Sequence, residues 1–262
     1  MISISSQQWY AWIAALLWPF LRVFGLLLAE PVLGNRAVPV TVKVGLALFV
    51  TLVVAPLLPP MPAAEPASAA GVLIAIQQLL IGLAMGFTIR IALTAAEMAG
   101  QLSGLQMGLG FAVFFDPQSS AQTAVLGQFV GLFAILIFLS TNGHALVLTA
   151  LAESFTALPV SAAPVDPLGF RALLDWGAVI FHTGLTVALP VIAALLIANI
   201  AVGIMTRAAP QLNLFAVGFP ITLMTGFVAL YLAAPYMGPA LGQLFEQAVL
   251  AMGRVVEGFA GR

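Results

Sequence analysis

Six nearly uncharged stretches of helix-spanning length decide what this chain can fold into. They cover Trp9–Ala29, Ala37–Leu58, Val72–Ala96, Thr123–Leu151, Trp176–Met205 and Leu214–Ala234. A helix needs about 20 mainly apolar residues to cross a bilayer. In hydrocarbon every backbone N–H and C=O must find a partner within the protein, which leaves helices and closed barrels as the only spanning structures. Composition points the same way: 62% of the residues are hydrophobic and 6% charged, against about 25% charged in an ordinary soluble domain. Eight Lys/Arg and nine Asp/Glu cannot give a core of this size a water-facing shell. The reading is an all-α membrane protein with one membrane domain over 1–262. A seventh piece, Leu241–Phe259, is amphipathic. Leu241, Leu244, Phe245, Ala248, Val249, Met252, Val255 and Val256 recur at helical spacing, while Glu246, Arg254 and Glu257 fall off the stripe. That pattern predicts a helix packed on a partner or lying at the bilayer surface.

The connectors are short. Pro56, Pro59, Pro60, Pro62 and Pro66 stiffen 56–70, because proline blocks helix continuation. Leu158–Asp175, with Pro159, Pro164 and Pro167, is the longest loop rich in polar groups. The N-terminus lacks a basic leader and the run after it is too long for a cleaved signal, so the first segment is expected to be retained. Arg22, Arg36, Lys43, Arg90 and Arg207 would lie on one side of the membrane and Arg171, Arg254 and Arg262 on the other. Positive charge favours the inside, which puts the N-terminus outside.

Several residues are too polar, or too small, for a plain lipid-facing bundle. Ala92, Ala96, Gly100, Gly104 and Gly108 recur every fourth position, with Gly82 and Gly86 read one helix earlier and Gly127 and Gly131 one later. Such stripes let backbones approach closely, within the chain or between subunits. Helix three carries Arg90, Glu97 and Gln101, expected to be buried polar residues, then Gln106. A charge at bilayer depth costs at least about 2.5–3.5 kcal/mol, so these side chains should meet a partner, water or the membrane surface. Arg90 and Glu97 share a face but lie about 10 Å apart along the axis, too far for an easy direct ion pair. Residues 110–120 form a hydrophobic loop, Gly110-Phe111-Ala112-Val113-Phe114-Phe115-Asp116-Pro117-Gln118-Ser119-Ser120. Its Asp-Pro pair stops any helix. Irregular backbone survives at membrane depth only where protein buries it or a cavity is wet. The loop is either an interfacial aromatic turn or a constriction, since apolar rings can gate a pore by excluding water. Between the fifth and sixth stretches, Asn199 falls inside an apolar run, and Arg207, Pro210, Gln211 and Asn213 crowd a turn, with Pro220 early in the next helix. This makes a helix, polar turn, helix hairpin.

Catalytic constellations are missing. There is no cysteine, Lys43 is the only lysine, and no Gly-rich phosphate loop ends in one. His144 and His182 stand without a ligand cluster. No catalytic, cofactor-binding or metal-binding residue is expected, and net charge −1 gives no basic surface for nucleic acid.

These residues carry a resemblance. Arg22-Val23-Phe24, then Pro31 and Arg36-Ala37-Val38-Pro39 with Lys43 beyond, then Glu97, Gly100 and Gln101, the Phe111–Pro117 loop, and Arg207-Ala208-Ala209-Pro210-Gln211-Leu212-Asn213 leading to Gly218-Phe219-Pro220, resemble the FliR family of flagellar biosynthesis proteins over essentially the whole length. The matching subunits of virulence type III secretion systems share the hydropathy but fit these motifs less closely. The resemblance implies a structural pore subunit without enzymatic activity. It would join FliP and FliQ in the flagellar export gate of the bacterial inner membrane, at the basal body, with FlhB and FlhA attached and unfolded flagellar proteins passing through. It implies a FliP-like part over 1–175 and a FliQ-like hairpin plus C-terminal helix over 176–262. It assigns pore sealing to Phe111, Val113, Phe114 and Phe115, in a loop closed by Asp116 and Pro117, with Met107 beside them. It implies also that many of these helices stand in a ring above the membrane plane. A secondary transporter of a small solute is the competing class; it would show an internal repeat, and the front half holds no second copy of the broken hairpin.

Overall fold

The computed structural model describes residues 6–111, 125–209 and 214–262. Within them lie eight α-helices and no strand: α1 (Ser6–Ala29), α2 (Val40–Val54), α3 (Ala69–Gln106), α4 (Val125–Ser140), α5 (Gly143–Ala157), α6 (Leu168–Trp176), α7 (Val179–Ala208) and α8 (Leu214–Phe259). Among the described residues five helical segments are long and apolar enough to cross a membrane, or six if α4 and α5 count as one. The chain is an all-α membrane protein.

The boundaries differ from the hydropathy reading in four places. The fourth apolar stretch breaks at Asn142, whose φ of 57° is left-handed; asparagine tolerates that conformation better than most residues. The third runs on to Gln106, so Gly82 and Gly86 share one helix with Ala92, Ala96, Gly100 and Gly104 rather than preceding it. Nearly half of the presumed loop Leu158–Asp175 is helix α6, and just before it Asp166 Oδ1 accepts from Leu168 N–H at 2.9 Å. Finally, the sixth stretch and the amphipathic C-terminal piece are one 46-residue helix that runs through Pro220, Pro235 and Pro239. In apolar surroundings ending a helix would strand several backbone groups where a proline frees only one carbonyl, which local adjustments and neighbouring side chains can satisfy, so such helices continue.

Contacts divide the chain into two compact units, one of Met1–Ile91, Asn142–Gly177 and Phe245–Arg262, the other of Ala92–Thr141 and Ala178–Leu244. In the first unit α1 and α3 touch backbone to backbone. A Cβ on Gly25 would lie 2.5 Å from Leu79 O; one on Gly82 would strike Arg22 O, and one on Gly86 would strike Leu26 O. This part of the small-residue stripe is therefore consumed inside the chain. The C-terminal end of α8 buries Phe245, Ala248, Ala251, Met252, Val255, Val256 and Phe259. Phe259 meets Phe170 of α6 edge-on at 4.9 Å, and its carbonyl accepts from Asp166 N–H at 3.0 Å. The amphipathic stripe thus packs on its own chain.

Arg22 is fully buried, in the middle of α1. Its Nε donates to Gln78 Oε1 of α3 at 2.8 Å. One terminal nitrogen donates to Ser154 O at 2.9 Å and Ser154 Oγ at 3.1 Å, the other to Leu158 O at 3.0 Å. The guanidinium also stacks 4.1 Å over the Phe155 ring. Two of these acceptors are carbonyls at the C-terminal end of α5, the partially negative end of a helix. Arg22 is therefore not a loop charge, and without it the positive-inside count falls to four against three.

Replacing Arg22 with Met strands the Gln78 amide oxygen and the Leu158 carbonyl, at about 1–3 kcal/mol for each unsatisfied buried group. Arg22→Lys keeps the charge but loses the planar fork. Both variants should lower the thermal unfolding midpoint in detergent by at least about 4 °C, taking about 2–4 °C per kcal/mol at this chain length. An unchanged midpoint would refute the structural role of the guanidinium.

Candidate functional site

α3 leads into the hydrophobic loop. Its last turn is extended by Met107 N–H donating to Ser103 O at 3.0 Å, and the chain then turns out at Gly108, with φ 86°. A short 3₁₀ turn, Leu109–Phe111, follows. Met107 has no solvent exposure. The side chain of Phe111 and all of Val113, Phe114, Phe115, Asp116 and Pro117 lie outside the described residues. Met107 is thus the one proposed sealing residue with a described side chain, and it packs into the chain's interior.

The helix-three polar residues separate. Arg90 is exposed in the middle of α3, not at its end, and its charge acts on Glu30. Glu97 is half-buried against α4: a Cβ on Gly131 would lie 2.9 Å from its Cγ and 3.1 Å from its Oε1. One turn on, Gly100 packs so closely that an added Cβ would come 2.8 Å from Gly127 Cα. The second half of the stripe, like the first, serves packing within the chain. Gln101 is exposed.

At the hairpin, Arg207 is exposed in the last turn of α7. Ala209 has left the helix, with φ −133° and ψ 76°. Pro210, Gln211 and Asn213 lie outside the described residues; Pro220 sits exposed within α8. Asn199, Gly203 and Arg207, four residues apart, form one exposed row on α7, and an added Cβ at Gly203 would meet nothing within 4 Å. Leu196, Ile197, Ile200 and Ile204 around them are at least half exposed.

Sequence reasoning did not see the buried polar groups. Arg22 was visible as a motif residue, but its partners lie 56 to 136 residues away. Glu30 is 5% exposed just beyond α1. Its Oε2 accepts from Val32 N–H at 3.0 Å and Leu33 N–H at 2.7 Å. Lys43 Nζ donates to Gly34 O at 3.0 Å and ties the same turn to α2. The only available cue was a lone Glu followed by Pro31 at the end of an apolar run. Among the described residues no group of three or more His, Cys, Asp or Glu could hold a metal ion.

Residues 13–248 match the family described as Bacterial export proteins, family 1. The chain belongs to this family. The flagellar biosynthetic protein FliR of Pectobacterium carotovorum subsp. carotovorum is 43% identical over 247 residues, 94% of each chain. FliR of Escherichia coli (strain K12) is 40% identical over the same length and coverage. FliR of Bacillus subtilis (strain 168) is 29% identical over 242 residues, 91% of this chain and 93% of that one. The resemblance read from the motifs is borne out.

In this export-family chain the turn after α1 carries a titration that can be followed. Burial raises the Glu30 carboxyl above its ordinary range, against the opposing pull of the Leu33 and Val32 N–H groups and the Arg90 charge. A carboxyl with a raised folded pKa holds its proton more tightly folded than unfolded. Its contribution is therefore greatest below the unfolded value and is lost as pH rises through the folded one. Glu30→Gln should flatten the fall in thermal midpoint of the detergent-solubilised protein as pH rises from about 4.5. An identical pH profile would remove Glu30 as its source.

Proposed function

We propose that the chain is a structural, non-enzymatic subunit of the flagellar type III protein export gate in the bacterial inner membrane. It assembles with FliP and FliQ, FlhB and FlhA attach, and unfolded flagellar proteins pass through the assembly. Its place in a family whose relatives are flagellar biosynthetic proteins supports this. The observation that carries the reading is the outer face of α7. Most of α7 is not buried, and its exposed surface includes Asn199 and Arg207. Lipid suits the leucines and isoleucines but leaves the Asn199 amide without a hydrogen-bond partner. A neighbouring protein helix accommodates both. The part over 1–175 acts as the FliP-like portion and 176–262 as the FliQ-like portion. Driving force comes from elsewhere in the apparatus, and no cofactor is needed.

Within this reading the loop over 110–120 helps seal the closed pore. Phe111, Val113, Phe114 and Phe115 exclude water from the constriction, while Asp116 and Pro117 end the segment. Arg207, Pro210, Gln211, Asn213 and Pro220 belong to the subunit contact at the hairpin, and Arg90, Glu97 and Gln101 supply polar contacts along α3.

Extracted gently, the chain should leave the membrane in a large complex with other small membrane proteins. Arg207→Ala should reduce the assembled fraction severalfold on native gels; full assembly together with intact export would exclude the residue from the interface. Replacing Phe111, Phe114 and Phe115 with Ala should raise the ion permeability of cells that carry the assembled gate. Permeability equal to the parent protein's would end the sealing assignment.

A further inference from the structure

Met107, at the end of α3, is in direct contact with Gly226 of α8. Met107 is the last residue before the chain turns out of α3 at Gly108. Its side chain fills a notch on α8 left by the missing Cβ of Gly226. A Cβ there would lie 2.7 Å from both Sδ and Cε of Met107 and closer still to Cγ. Real Cβ contacts do not occur at such distances, and a side chain with no exposure has little room to retreat despite the flexibility of a thioether. The Met107 carbonyl, one of those a helix end leaves without a helical donor, faces Thr222 Oγ1 at 3.3 Å. That hydroxyl also lies 3.0 Å from Phe219 O of its own helix, so its single proton is shared and the Gly226 notch is the stronger half of the contact. Thr222 and Gly226 are four residues apart and so lie on one face of α8.

We infer that Gly226 and Thr222 are positioning residues for the sealing loop: they clamp Met107, and through it the α7–α8 hairpin sets where the aromatic segment begins. α8 starts at Leu214, directly after the polar turn, and Gly226 lies about 18 Å along it at 1.5 Å per residue. A rotation or slide of α8 at the hairpin is therefore transmitted to Met107 by direct contact rather than through intervening loops. The clamp rests on the sealing role proposed above for the loop.

The test is ion permeability of cells, normalised to the amount of assembled complex. Ordinary core packing would change the amount assembled but not the leak per complex. Gly226→Ala, which drives a methyl into Met107, should raise leak per complex severalfold. Met107→Ala, which empties the notch, should do the same and serves if Gly226→Ala fails to assemble. The double variant, in which the new methyl occupies the vacated space, should return at least halfway to the parent, the non-additivity expected of residues in contact. Unchanged leak per complex in either assembled single variant, or additive leak in the double, overturns the clamp. The triple Phe→Ala loop variant separates the two claims. If it leaks while the Met107 and Gly226 variants do not, the seal stands and the clamp fails. If it does not leak, the seal itself fails and the clamp with it.

Discussion

A cation cannot be buried in an apolar helix unless acceptors surround it, and the first compact unit is organised around meeting that demand at Arg22. The guanidinium is a rigid fork of donors, so its acceptors must stand at fixed places. Gln78 on α3 and the terminal carbonyls of α5 occupy them, at 2.8 to 3.0 Å, and the Phe155 ring closes the fourth side. The close crossing of α1 on α3 at Gly25, Gly82 and Gly86 brings Gln78 within reach. The negative end of the α5 dipole favours the positive charge. One residue thereby fixes three helices that are distant in sequence.

The second unit follows another rule. α3 and α4 approach through Gly100, Gly127 and Gly131, and the space opened at Gly131 is taken by Glu97. Most other polar groups of this unit, among them Gln101, Asn199 and Arg207, face outward on apolar surfaces. Among the described residues all the buried polar side chains but Ser103 belong to the first unit, where Arg22, Gln78 and Ser154 hold its helices together. The polar groups that the second unit displays on apolar surface suit contacts with neighbouring chains better than contact with hydrocarbon.

Much of the helix inventory was legible because hydropathy reports whether a segment can tolerate apolar surroundings. Helix ends were less so. The sixth apolar stretch ends at Ala234 by hydropathy, yet the helix runs on through Pro235 and Pro239, since breaking it would strand more backbone groups than the prolines free. The break at Asn142 depends on one left-handed residue, and α6 begins just after an Asp166 carboxylate that accepts from Leu168 N–H. Of the candidate site, the loop and hairpin were visible as places where apolar runs fail. The contact of Met107 with Gly226, 119 positions apart along the chain, was not, because a glycine notch has no signature until its occupant is known.

The sequence by itself determined that the chain is a helical membrane protein, that it carries no recognisable catalytic group, and which family it resembles. Those properties follow from local composition and short motifs, which need no partner to be read. Only the tertiary structure decided that Arg22 is a core residue, that the small-residue stripe is spent on α1 and α4, that the amphipathic C-terminus packs on its own chain, and that Met107 packs against Gly226 of α8. Each of these turns on which distant side chain fills a given space, and the one-dimensional pattern does not encode that pairing.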